Sequence, residues 1–174
     1  MRQIRAPRVR IGPDLVANAL AVLAILGALI LAYAEWNDLY RVVSSSGVVL
    51  DAPGAVRTGG DNHGYAQVVI AAAAIAAVVL ARLTGQPLPA WSIACLGLIA
   101  LVVTLAIDLP DATSSGLTAG GHQLGEADPA VGLWLELAGA VLLMTAGAGL
   151  ALVLRRSAAG LRPRRERARP RYQR

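Results

Sequence analysis

Few side chains in this 174-residue chain can do chemistry, and the least expected is Glu136, a lone carboxylate inside the apolar run VGLWLELAGAVLLM (residues 131–144). Lipid offers no partner to a charge, so an ionisable residue in such a run faces other helices or a wet cavity. Counted from residue 130, Glu136 lies roughly 9 Å along a helix rising about 1.5 Å per residue, in the outer third of a membrane span. Three further polar residues stand at matching positions beside other apolar runs: Glu35, Gln67 and Asp108, the last one turn after Thr104. If the runs are antiparallel helices, Glu35, Gln67, Asp108 and Glu136 meet at one level beneath the loops, with His63, His122 and Arg41 above them. Carboxylates crowded in a low dielectric disfavour simultaneous ionisation, so such a group would keep a proton or share a cation. The expectation is a proton, cation or substrate site centred on Glu136. The plainer alternative is that Glu136 is protonated, or bonded to Gln67, and only ties two helices together through a bond of about 0.6 kcal/mol.

The two histidines sit in DNHG (His63) and GGHQ (His122), near Asp61, Asp111, Glu126 and Asp128. His and carboxylate are ordinary ligands of divalent metals. No spacing here matches a metal motif, so both are weak candidates read as solvated loop residues, and no metal or cofactor is expected. There is no HExxH, no phosphate-binding loop, no CxxC and no Gly-x-Ser-x-Gly elbow. TSSG (residues 113–116) reads as a turn, with no base to serve it. Catalysis is therefore not expected. The single cysteine, Cys95, lies in an apolar run and excludes an internal disulfide.

The elements that must position these groups are plain in the composition, which is 56% hydrophobic without Phe. Apolar residues come in four blocks, 15–34, 65–83, 90–107 and 130–154, each close to the roughly 20 residues a helix needs to span hydrocarbon. Backbone groups in lipid must bond within their own segment, so the blocks read as transmembrane helices and the fold as an all-α, integral membrane four-helix bundle. Block 65–83 is the weakest, being Ala-rich and bracketed by Gln67 and Arg82. Small residues share the face of Glu136: Gly132, Gly139, Ala146 and Gly147, with Leu143 and Leu150. On block 65–83 the face of Gln67 continues Ala71, Ala74, Val78 and Ala81, and on block 15–34 an Ala ridge (Ala17, Ala21, Ala24, Ala28, Ala32) leads to Glu35. Small residues mark the close-packed side of membrane helices.

Arginine distribution sets the expected orientation. Arg2, Arg5, Arg8 and Arg10 precede the first block, Arg82 lies between the second and third, and nine follow the fourth. The other two connections, 35–64 and 108–129, hold only Arg41 and Arg57 beside eight acidic residues. Positive segments stay cytoplasmic, so both termini are expected inside and the two long loops outside. Trp36, Trp91 and Trp134 fall near block ends, where amphipathic rings favour the interface. Ala32-Tyr33-Ala34 also fits a signal-peptide cleavage rule, but the preceding apolar run is longer than the roughly 7–15 residues of such a signal.

Residues 1–14 form a basic lead-in, with Pro13 and Asp14 suited to a helix start. In the first outer loop YRVV and VVLD flank SSSG, so a small β-hairpin is expected there. The second outer loop is Gly-rich and acidic. TGQPLP (residues 84–89) is a short link that makes blocks two and three antiparallel neighbours. The tail, 155–174, is Arg-rich, and Pro163 and Pro170 argue against a continuous helix through it. Arg155, Arg156, Arg162, Arg164 and Arg165 are expected to hold the anionic headgroups of the bilayer, at about 1 kcal/mol per cation near the surface. One aromatic, Tyr172, gives no stacking platform, so nucleic acid is not expected.

A Glu in a four-span chain invites comparison with small multidrug transporters, but those carry theirs in the first span and have minimal loops. The layout instead resembles small four-span membrane proteins of unknown function from GC-rich bacteria. In these an acidic or Trp-bearing segment (here AEWNDLY, residues 34–40) follows the first span and Gly-x-Trp (Gly132 to Trp134) opens the last. That resemblance implies a fold and no activity. The expected role is a non-enzymatic accessory or interaction component of the cytoplasmic membrane, with a membrane-protein partner or a homo-oligomer. The alternative is a small oligomeric transporter or proton/cation-coupled protein using the polar cluster.

Overall fold

The structure is a computed structural model that describes residues 12–44, 47–49, 55–117 and 124–167. Four helices are long and apolar enough to cross a membrane: α1 (Pro13–Ala34), α3 (Ala66–Thr84), α4 (Pro87–Val103) with its continuation to Ala112, and α6 (Val131–Arg167). They pack in the cyclic order α1, α6, α4, α3. Helix starts and stops follow local chemistry. Pro residues open α1 and α4, where the missing N–H costs no helical bond. Gly85 ends α3 in the left-handed conformation (φ 65°), its N–H on the Ala81 carbonyl. Only Gly85 and Gln86 separate α3 from α4, a tighter link than the TGQPLP segment suggests, because Pro87 already belongs to the helix.

The interior is built from small residues. Ala24, Ala28, Ala74, Ala81, Ala90, Ala100 and Ala140 are wholly buried, interleaved with Leu31, Ile93, Leu143 and Leu150. Where α1 crosses α6, two glycines remove the side chains that would hold the backbones apart. A Cβ on Gly139 would lie 2.8 Å from the Leu31 nitrogen and 2.9 Å from the Gly27 carbonyl oxygen. Such close approach multiplies backbone dispersion contacts, each small and together large.

The two long connections fold together. Strand β1 (Asp38–Ser44) pairs antiparallel with β2 (Val56–Thr58) on one side and β4 (Leu124–Pro129) on the other, and β3 (Ser115–Leu117) pairs with β4. The resulting sheet has the order β2-β1-β4-β3. This extends the expectation of an all-α bundle with one small hairpin in the first loop: an antiparallel pair forms there, and the second loop adds two strands to it. YRVV does form β1, but its ladder partners come from Val56–Thr58 and from the second loop; of VVLD, Val49 makes an isolated bridge to Val43. TSSG is in part strand, since Ser115 and Gly116 belong to β3. β1 can serve both loops because the Leu39 side chain is buried and its carbonyl accepts the Ala130 N–H (2.9 Å), tying the sheet to the start of α6.

Two further departures concern helix lengths. Past Val103 the third long helix widens into a π-helical turn, Thr104–Asp108, and continues as α5 (Leu109–Ala112). Pro110 explains the shift. Its nitrogen has no hydrogen to continue the α ladder, and the Leu109 N–H reaches back five residues to the Thr104 carbonyl. At the other end α6 runs through Pro163 to Arg167, where a break was expected. One lost backbone bond does not end that helix.

Candidate functional site

At the loop end of the bundle, under the sheet, five polar side chains have no exposed surface: Glu35, Gln67, Thr104, Asp108 and Glu136. All four residues expected to cluster therefore come together, each from a different helix end. Glu136 arrives on the small-residue face of α6, whose members Gly132, Gly139, Leu143, Ala146, Gly147 and Leu150 are all buried. Gln67 heads the buried row Ala71, Ala74, Val78 and Ala81 of α3. Thr104 and Asp108 bracket the π turn, whose extra residue turns both inward. Glu35 is the first residue past α1.

Glu35 also has a structural task. α3 begins after Tyr65, which offers no side-chain cap, and Glu35 Oε1 accepts the Gln67 N–H at 2.7 Å instead. A carboxylate at a helix N-terminus answers both the orphan amides and the dipole. The Glu35 carbonyl accepts the Gly60 N–H (3.0 Å), so the same residue anchors the preceding segment.

That segment holds the main correction. His63, expected to be solvated above the cluster, is the last residue of a five-residue helix, α2 (Gly59–His63), and its side chain is 11% exposed. Thr58 and Asp61 close a reciprocal capping box at its start, and Gly64 turns left-handed (φ 60°) at its end. The Thr58 hydroxyl and N–H hold the Asp61 carboxyl below its ordinary range. The ring of His63 is thereby folded inward. Its Nε2 lies 3.0 Å from Asp108 Oδ1 and 3.9 Å from Glu136 Oε1, and its Nδ1 lies 3.5 Å from Glu35 Oε1. The Asp108 hydrogen bond and then the nearby Glu35 carboxylate outweigh desolvation and push His63 up to about 10. The pattern Thr-Gly-Gly-Asp-Asn-His-Gly (residues 58–64) carried this signal as a capped single turn.

The remaining contacts fix the other carboxylates. Asn62 Nδ2 donates to Asp108 Oδ1 (2.9 Å), and the Thr104 hydroxyl lies 3.3 Å from Glu136 Oε2 and 3.1 Å from the Ala100 carbonyl. The Gln67 amide does not bond Glu136, contrary to the plainer sequence reading; its nitrogen and oxygen are buried without a hydrogen-bond partner. So are Glu35 Oε2, Asp108 Oδ2 and Glu136 Oε1. Two of these oxygens converge beside Gly59, where a Cβ would stand 2.8 Å from Glu136 Oε1 and 3.1 Å from Glu35 Oε2. Even with His63 protonated, three carboxylates face one imidazolium.

His63, Asp108 and Glu136 each present a ligand atom within 4.8 Å of the others, so these three could hold a metal ion. His122 lies outside the described residues. Arg41 is not in the cluster: it bonds Asp38 at the surface (2.7 Å). Arg155 and Arg156 are exposed on α6, and of Arg162, Arg164 and Arg165 only the helical backbone is described. Among the described residues no buried polar side chain lies deeper in the bundle, whose interior below the centre is Ala, Leu, Ile, Val and close-packed Gly.

No protein-family description matches the chain, and neither curated proteins nor solved structures show a match to it.

Proposed function

We propose that this is a non-enzymatic membrane protein that binds a cation in the acid–histidine centre beneath its sheet, as an accessory component of the cytoplasmic membrane. The observation that carries the reading is the convergence of Glu35, Asp108 and Glu136, wholly buried, on one imidazole, with an oxygen of each carboxylate left unpartnered. Buried like charges are relieved by a proton or by a bound cation, and unpartnered oxygens on three separate carboxylates favour the cation. In the proposed orientation both termini are cytoplasmic and the centre faces outward, supported by fourteen arginines on one side against two on the other. Binding is favoured over conduction because the described interior beneath the centre offers Ala, Leu and Ile, on which an ion would find no ligand.

The test is a cation series on the purified protein, reading thermal unfolding in detergent. At least one cation should raise the midpoint of the wild type and leave Glu136→Gln unmoved. A series in which none does so ends the reading. Flux into proteoliposomes that Glu136→Gln abolishes would establish the transporter alternative instead.

A further inference from the structure

We infer that the cation is a divalent transition metal of the Zn2+ class, held by His63 Nε2, Asp108 and Glu136. This deepens the reading above and rests on it. The donor set comes first. A nitrogen donor beside two carboxylates suits zinc and its neighbours in the first transition row, whereas magnesium and calcium prefer oxygen alone. Distances agree. Two ligands each about 2.0–2.1 Å from a tetrahedral ion stand about 3.4 Å apart, and His63 Nε2 lies 3.0 Å from one carboxylate oxygen and 3.9 Å from another.

Independent of the ligand atoms is the layer behind them. Metal-bound histidines turn their other nitrogen toward a carboxylate, carbonyl or water, and ligating carboxylates are themselves hydrogen-bonded. Both carboxylates have such a partner, and a carboxylate stands near the far nitrogen of His63, which itself makes no hydrogen bond. Glu35 stands at the far nitrogen of His63 (3.5 Å), Asn62 donates to Asp108 (2.9 Å), and Thr104 lies against Glu136 (3.3 Å). Glu136 Oε1, wholly buried and unpartnered, faces the coordinating nitrogen. A simple ion pair between His63 and Asp108 would not need that oxygen. Gly59 keeps space beside both free glutamate oxygens. Coordination needs neutral imidazole, so the metal displaces the Nε2 proton, which leaves to solvent.

The experiment uses the full chain in detergent. Equilibrium dialysis with Zn2+, and titration with Co2+ followed by visible d–d absorption, should each give one ion per chain with a spectrum of a nitrogen–oxygen site. His63→Ala and Glu136→Gln should each weaken binding by about 100-fold or more, since even loss of an outer partner costs about 10–100-fold. His122→Ala should bind as the wild type. Should a ligand variant fail to fold, the His122→Ala protein provides the readout: Zn2+ should shift the ring resonances of its one remaining histidine in the NMR spectrum. Stabilisation by Na+, Mg2+ or Ca2+ without Zn2+ or Co2+ binding overturns this inference and leaves the proposed cation site standing. Zn2+ binding that survives His63→Ala, or that leaves the His63 ring resonances unmoved, places the metal elsewhere and overturns it too. Indifference to every cation removes both readings.

Discussion

Glu35 and Gln67 stand 32 residues apart, yet the Glu35 carboxylate accepts the Gln67 backbone N–H at 2.7 Å with neither side chain exposed. The residue that ends the first long helix therefore caps the second. This bond joins the stability of the bundle to the geometry of the centre, because Glu35 also faces His63.

Glu35→Ala should accordingly lower stability by about 1–2 kcal/mol, the usual cost of a lost cap. Glu35→Gln keeps an acceptor oxygen and should recover most of that loss. Unfolding of both variants in mixed detergent micelles measures the difference. Equal losses would mean that the carboxylate charge, and not the hydrogen bond, holds α3.

Thr58→Ala removes the hydroxyl that caps α2 and bonds Asp61. The capping cost of about 1 kcal/mol falls on the segment that carries His63. Cation affinity should drop roughly fivefold while the unfolding midpoint of the cation-free protein barely moves. A large change in global stability with unchanged affinity would contradict this division.

Gly59→Ala places a methyl 2.8 Å from Glu136 Oε1 and 3.1 Å from Glu35 Oε2. Both carboxylates must then shift, so cation binding should be lost with the helical content intact. Circular dichroism beside a binding isotherm checks both halves.

Two glycines of α6 should respond differently to the same change. Gly139→Ala meets the backbone of α1 and should cost about 1–3 kcal/mol as an overpacking substitution. Gly149→Ala meets only the Leu20 side chain, at 3.1–3.3 Å, which can turn aside. Its effect should stay near zero in the same unfolding assay.

Orientation is open to direct labelling. In a Cys95→Ser background, Ser114→Cys near β3 should react with an impermeant maleimide on intact cells, and Ala159→Cys on α6 should react only after lysis. Both residues are exposed. The reverse pattern would turn the protein over and place the centre inward.

Block composition alone determined the four long helices, because apolar runs of about 20 residues have the length and composition of helices able to cross a membrane. Helical periodicity also picked out the inward faces: the small residues spaced with Glu136 and with Gln67 are the buried ones. From antiparallel packing it followed that Glu35, Gln67, Asp108 and Glu136 would share a level. What tertiary structure decided was everything that depends on partners distant in sequence. β1 finds its main ladder with β4 in the other loop, a pairing no local pattern encodes. The π turn follows from Pro110, but that it turns Thr104 and Asp108 toward the centre depends on α6 lying opposite. His63 reads as a loop residue in DNHG, and becomes the middle of the site only because the Thr58 cap folds its helix back onto three buried carboxylates, whose charge then holds the ring there.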